Sequence, residues 1–211
     1  MKNYILTIFL LLLFACSGDS KKNSNSNVSK IIISKKDNQT KAGEGGYGFK
    51  KIAKNLGFET YTWNEKNDKT FFGDPKAVKG GTLNYIHSLF PRTMRVLGQN
   101  SSQVLNNRTI MSLCYEGLLG QHPATLEFTP RLASHWKISE DKTIFEFRIN
   151  PDARWWDGTP VTSDDVIATW DLRMDETILS PAEQITYGKF ERPIAKSKYI
   201  VSVKAKSVNW R

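Results

Sequence analysis

Several side chains in this sequence are capable of bond chemistry, but their spacing does not assemble them into a reaction centre. His87, His122 and His135 stand far apart, with no HExxH pair and no Cys/His cluster, so no metal site is expected. Asp164 and Asp165 adjoin each other, yet neighbouring carboxylates at a helix start serve as caps better than as an acid–base dyad. No G-x-S-x-G elbow marks a nucleophile. Gly43-Glu44-Gly45-Gly46-Tyr47-Gly48 matches GxGxxG, with Asp68 downstream. The run Lys36 to Lys41 before it lacks the strand that a dinucleotide site needs, so a Gly-rich linker and no cofactor are expected. Trp155-Trp156 offer a stacking surface for a base or sugar, but beside Asp157-Gly158 the reading for Trp156 is a packed side chain. An enzyme is not expected.

The elements that would position these groups are clearest between Pro130 and Trp170. Leu132, Ala133 and Trp136 make an apolar step, and Ser139-Glu140-Asp141-Lys142 a polar turn. In the strand that follows, Phe145, Phe147 and Ile149 face one side, Glu146 and Arg148 the other. Asn150-Pro151-Asp152 ends it, and Asp157-Gly158 turns the chain again. Thr162-Ser163-Asp164-Asp165 is a capping box opening a helix with Val166, Ile167, Trp170 and Met174 as its apolar stripe, ending near Asp175 to Thr177. Glu183 to Ile194 is mixed, broken by Gly188 and Pro193. Tyr199 to Lys206 alternates as a strand. Upstream, Thr82 to Ile86 suits a strand and Val104 to Tyr115 a helix that would bury Cys114 as an inert thiol.

The amino terminus carries a different signal. Met1-Lys2-Asn3 is a short positive region before the apolar run Tyr4 to Phe14, too short to span a bilayer comfortably and so expected to be a signal peptide over 1–15. Leu13-Phe14-Ala15-Cys16 resembles a lipobox, in which Cys16 would become the acylated first residue and anchor the chain to a membrane. Residues 16–70, rich in Ser, Asn, Lys and Gly, are expected to form a flexible tether; the apolar island at Ile31-Ile32-Ile33 is left open between an edge strand and a loose segment.

With 211 residues, 39% hydrophobic and 11% aromatic, the chain can build a core. Its formal charge is +9, or +8 once residues 1–15 with their one cation, Lys2, are set aside. Much of that excess lies in Lys21, Lys22, Lys30, Lys35, Lys36 and Lys41, which reads as a solvated tail; no nucleic-acid partner is expected.

The ordered residues Pro130, Leu132-Ala133, Trp136, Ile138-Ser139, Asp141, Phe145, Phe147, Trp156, Asp157-Gly158-Thr159-Pro160, Thr162, Asp165 and Val166 resemble the signature of bacterial extracellular solute-binding proteins, family 5. These are the oligopeptide- and dipeptide-binding receptors of ABC importers. Lys79-Gly80-Gly81-Thr82-Leu83 and Tyr115-Glu116-Gly117-Leu118 are similar to further family segments. Leu89-Phe90-Pro91 departs from the Leu-Asp/Asn-Pro that most members carry there.

The resemblance implies an α/β, periplasmic-binding-protein-like (type II) fold: two lobes that close over a peptide, with a small β-rich subdomain on the first. It implies 71–120 as the start of lobe one and 121–211 as that subdomain, taken as truncated. Ligand contacts are implied at Ser88, Glu116 and Gly117. Glu116 would meet a peptide amine or main-chain N–H, or would pair with a neighbouring Arg or cap local backbone. The implied partners are an oligopeptide ligand, ABC permease subunits and, through the anchor, the membrane. An exported, membrane-anchored lipoprotein facing the periplasm or cell exterior is expected. These 211 residues alone are not expected to hold peptide, because a cleft needs two walls. The alternative is a structural or adhesive surface lipoprotein on the same scaffold.

Overall fold

The centre of the protein is an antiparallel sheet of four strands in the spatial order Ala133–Ile138, Ile144–Ile149, Ile200–Lys204, Ile194–Ser197. In this computed structural model the residues described are 35–64, 76–78, 80–82, 84, 86, 93, 95–98, 101 and 111–208. The strands are β3 (Ala133–Ile138), β4 (Ile144–Ile149), β5 (Ile194–Ser197) and β6 (Ile200–Lys204). A separate two-stranded ribbon, β1 (Leu119–Gln121) and β2 (Phe128–Pro130), precedes them. The helices are α1 (Phe49–Ile52), α2 (Met111–Cys114), α3 (Ser163–Met174) and α4 (Pro181–Tyr187). The class is α/β, as expected.

The alternation expected for β4 and β6 decides which layer each residue joins. In the ladder Phe147 stands opposite Val201 and Arg148 opposite Ile200, so odd and even positions go to opposite faces. Ile149, Tyr199 and Val201 form one buried cluster with Val161, against which Phe147, Leu118 and Val166 of α3 pack. Ile200 joins Phe49, Ala53 and Phe58 on the other face. Both faces are therefore covered.

That second layer corrects the expectation for residues 16–70. The stretch 35–64 is folded rather than a tether. α1 sits between two short 3-10 turns, Ala42–Glu44 and Lys54–Leu56. Phe49 is fully buried there, edge-on to Phe58 at 5.2 Å. Glu59 then exchanges backbone hydrogen bonds with Trp136 (2.8 and 3.0 Å), adding an extended residue to the outer edge of β3. Composition misled because a few apolar residues, Phe49, Ala53 and Phe58, suffice to cover one sheet face. Residues 16–34 and 65–70, with Cys16 and the Ile31–Ile33 island, lie outside the described residues, as do the leader at 1–15 and most of 71–110.

Other expectations are corrected in detail. The boundary expected at 120/121 falls inside β1 (Leu119–Gln121). α4 (Pro181–Tyr187) begins just before the stretch read as mixed and ends at Gly188, with Pro181 at its first turn where no N–H is needed. Of the helix expected over Val104 to Tyr115, residues 104–110 are outside the described part; Met111–Cys114 are helical and Tyr115 is not. Cys114 is exposed, because no described layer packs over α2.

Candidate functional site

The hairpin and capped helix expected between Trp155 and Asp165 are present, joined by one carboxylate. Trp155 N–H bonds to the Thr159 carbonyl (2.9 Å), and Gly158 closes the turn at φ 88°, a conformation that favours glycine. The Asp157 carboxylate accepts from the Thr159 amide (2.9 Å) and hydroxyl (2.8 Å), which holds its pKa below the usual carboxylate range. Asp165 Oδ2 accepts from the Thr162 amide at 2.7 Å, the reciprocal half of a capping box. Its Oδ1 accepts from the Trp155 indole at 3.1 Å. Trp156 corrects the expectation of a packed side chain: it is 85% exposed. Of two adjacent tryptophans, the turn aims the first at Asp165 and leaves the second to solvent.

Glu116 and Gly117 lie just after α2, both exposed. The Gly117 carbonyl accepts from Leu132 N (3.3 Å) and the Leu118 carbonyl from Ala133 N (2.8 Å), zipping this stretch onto the start of β3. Gly117 thus has a backbone role, while the Glu116 carboxylate stays exposed. Ser88 lies outside the described residues, so the structure does not bring it together with Glu116 and Gly117.

The most constrained polar group is one that the sequence did not single out. Arg148, 8% exposed, donates from Nε to the Gly45 carbonyl (2.7 Å), from Nη2 to the Gly46 carbonyl (3.0 Å) and from Nη1 to Ser134 Oγ (2.7 Å). Its guanidinium lies 5.3 Å from the Phe49 ring centre. Burial lowers its pKa. The GxGxxG look-alike therefore presents carbonyls to a cation, the opposite of amides presented to a pyrophosphate. An arginine on a strand was the available signal; its carbonyl partners, Gly45 and Gly46, lie about a hundred residues away.

Asp37 is a second such group. It accepts from Lys198 Nζ (2.6 Å), Tyr199 OH (3.0 Å), Thr40 Oγ1 (2.9 Å) and the amides of Thr40 (3.2 Å) and Gln39 (3.0 Å). The Lys198 ammonium, followed by Thr40, holds its carboxyl well below the usual carboxylate range. Among the described residues no group of His, Cys, Asp and Glu is arranged to hold a metal ion. Among these groups the arrangement clasps one layer onto the sheet and caps a helix.

Residues 127–210 match the family model described as bacterial extracellular solute-binding proteins, family 5 Middle. That stretch, about two fifths of the chain, is similar to the family 5 solute-binding proteins. The fold class is α/β. Among curated relatives, the chain is 40% identical over 67 residues to the periplasmic murein peptide-binding protein MppA of Escherichia coli, covering 32% of this chain and 12% of that protein. It is 37% identical over 79 residues to the periplasmic oligopeptide-binding protein OppA of the same organism, covering 35% of this chain and 13% of that protein. A solved structure of the Escherichia coli murein tripeptide binding protein MppA aligns at 23% identity and TM-score 0.48, covering 55% of this chain and 25% of that one. The matched stretches thus span about an eighth of the length of the curated relatives.

Proposed function

We propose that this chain belongs to the substrate-binding component of an ABC importer, capturing oligopeptides or peptide-like solutes for delivery to a membrane permease. The single observation that carries the reading is the family 5 match over residues 127–210, which includes the Trp155 hairpin and its capped helix. Relatives named for murein-peptide and oligopeptide binding support the ligand class, and their periplasmic location supports export. Cys16 is the residue that would carry the lipid anchor. Glu116 would meet a peptide amine, with Ser88 and Gly117 as the other proposed contacts.

Capture in such a receptor is hinge closure: ligand bridges two lobes and shifts the population toward the closed state, with no bond made or broken. The subdomain described here supplies one wall at most. These 211 residues alone are therefore proposed not to hold peptide with useful affinity, since a peptide's backbone groups need partners on both sides. Cross-linking in intact cells, followed by mass spectrometry of adducts of this chain, tests the reading. Peptides from an ABC permease subunit are expected among the adducts; a well-expressed chain with no permease adduct would overturn it.

A further inference from the structure

An open groove of about 440 Å³ lies where the start of the folded arm meets the β5–β6 turn and the Trp155 hairpin. It is lined by the stretch Lys35 to Gln39, by Arg154 and Pro160, and by Lys198 and Tyr199. Its cations are Lys35, Lys36, Arg154 and Lys198, and its one acid is Asp37, a surplus of three positive charges from four against one. That acid is spent: Lys198, Tyr199 and Thr40 already occupy the Asp37 carboxylate. The ion pair uses up Lys198 and leaves Lys35, Lys36 and Arg154 as the charges facing the opening.

Arg154 adds a second, independent sign. Its Nη1 donates to the carbonyls of Pro151 (2.7 Å) and Ala153 (2.8 Å), which holds the guanidinium rigidly against the turn. Its Nε is buried and has no hydrogen-bond partner among the described residues. A guanidinium so held at the groove wall offers donors of fixed orientation to an oxyanion. Lys36 leans over the Tyr47 ring, 5.3 Å from its centre, which limits how far its ammonium wanders from the rim.

We infer that this groove is a binding site for a phosphate-bearing anion, with Arg154 as the rigid donor and Lys35 and Lys36 as cations on its rim. Its size admits a phosphoester with part of the group attached to it. The phosphate has two sources, free in solution or on a lipid headgroup. The second is within reach if Cys16 is acylated: from 16 to 35 is 19 residues, at most about 65 Å of extended chain.

Lysine acetylation footprinting of the exported full-length protein in neutral detergent tests the site. Increasing inorganic phosphate is expected to protect Lys35 and Lys36 saturably, with Lys137 and Lys206 unchanged as internal references. Arg154→Gln should raise the half-protecting concentration at least tenfold. Because that variant could loosen the turn, Lys36→Gln, read at Lys35, should weaken protection in the same direction. Repeating the assay with phosphatidylglycerol and phosphatidylcholine vesicles assigns the source: protection by the former alone supports a headgroup site, and protection by soluble phosphate alone supports a solution anion. Either result supports the inference. No protection by phosphate or vesicles, or protection spread equally over Lys137 and Lys206, overturns it. No peptide or permease takes part, so failure here leaves the importer reading untouched, and the reverse.

Discussion

Arg148 on the central strand donates a 2.7 Å hydrogen bond to the carbonyl of Gly45, which precedes it by 103 residues. This contact and its neighbour to Gly46 turn a glycine-rich stretch into a structural clasp over one face of the sheet. The clasp is possible because Gly45 takes φ 87° and packs its backbone against Tyr199 and Ile200. A Cβ at Gly46 would stand 2.0 Å from the Thr40 carbonyl oxygen.

Removing either partner should loosen the arm. Arg148→Ala leaves the Gly45 and Gly46 carbonyls buried without their donor, and a loss of about 3 kcal/mol is expected in a denaturant titration. Gly46→Ala should also destabilise, through steric conflict rather than a missing donor. Amide hydrogen exchange at 45–58 should rise more than at β6 in both variants; unchanged exchange in the arm would remove its dependence on the clasp.

Acid should weaken the same layer. His135 is buried beside Phe49 and across the strand pair from Arg148, and its pKa is lowered, first by burial and then by Arg148 and Lys50. The unfolded chain, with an ordinary imidazole pKa near 6.5, therefore binds a proton before the folded one does. This contribution is fully present above about pH 6.5 and is lost as pH falls through that value toward the folded pKa. Thermal melts from pH 7.5 to 5 should show the decline. In His135→Phe it should be smaller; an identical pH slope would assign the effect to other groups.

One carboxylate ties the hairpin to α3. Asp165→Ala removes the acceptor for both the Thr162 amide and the Trp155 indole, and about 1–2 kcal/mol of stability should go with it. Asp165→Asn keeps an acceptor and should cost less. Equal losses in the two variants would mean that charge at the helix start, rather than the hydrogen bonds, carries the effect.

Acylation at Cys16 can be read directly. Cells fed an alkynyl fatty acid should yield labelled protein from the native gene and none from Cys16→Ser; equal labelling, or none in either, contradicts the proposed anchor.

What could be read from sequence was what short-range chemistry determines. The hairpin and cap lie between Trp155 and Asp165, where turn residues and the capping pair are neighbours. β4 and β6 show themselves by alternation, though alternation could not say that Arg148 and Ile200 face a second layer rather than water. The arm was hidden because Lys, Ser and Asn outnumber Phe49, Ala53 and Phe58, whose partners are distant in the chain. Trp156 was misjudged because adjacency puts one of two tryptophans outside, and only the turn geometry decides which. Glu116 and Gly117 were put forward by resemblance alone; nothing in their local pattern separates a ligand contact from a loop.

Uptake of labelled oligopeptides tests the importer account most directly. Cells from which this coding sequence has been deleted should take up a labelled tri- to pentapeptide mixture several-fold more slowly than the parent, with free amino acid uptake unchanged and full recovery on restoring the gene. Peptide uptake equal in deleted and parent cells would contradict the account.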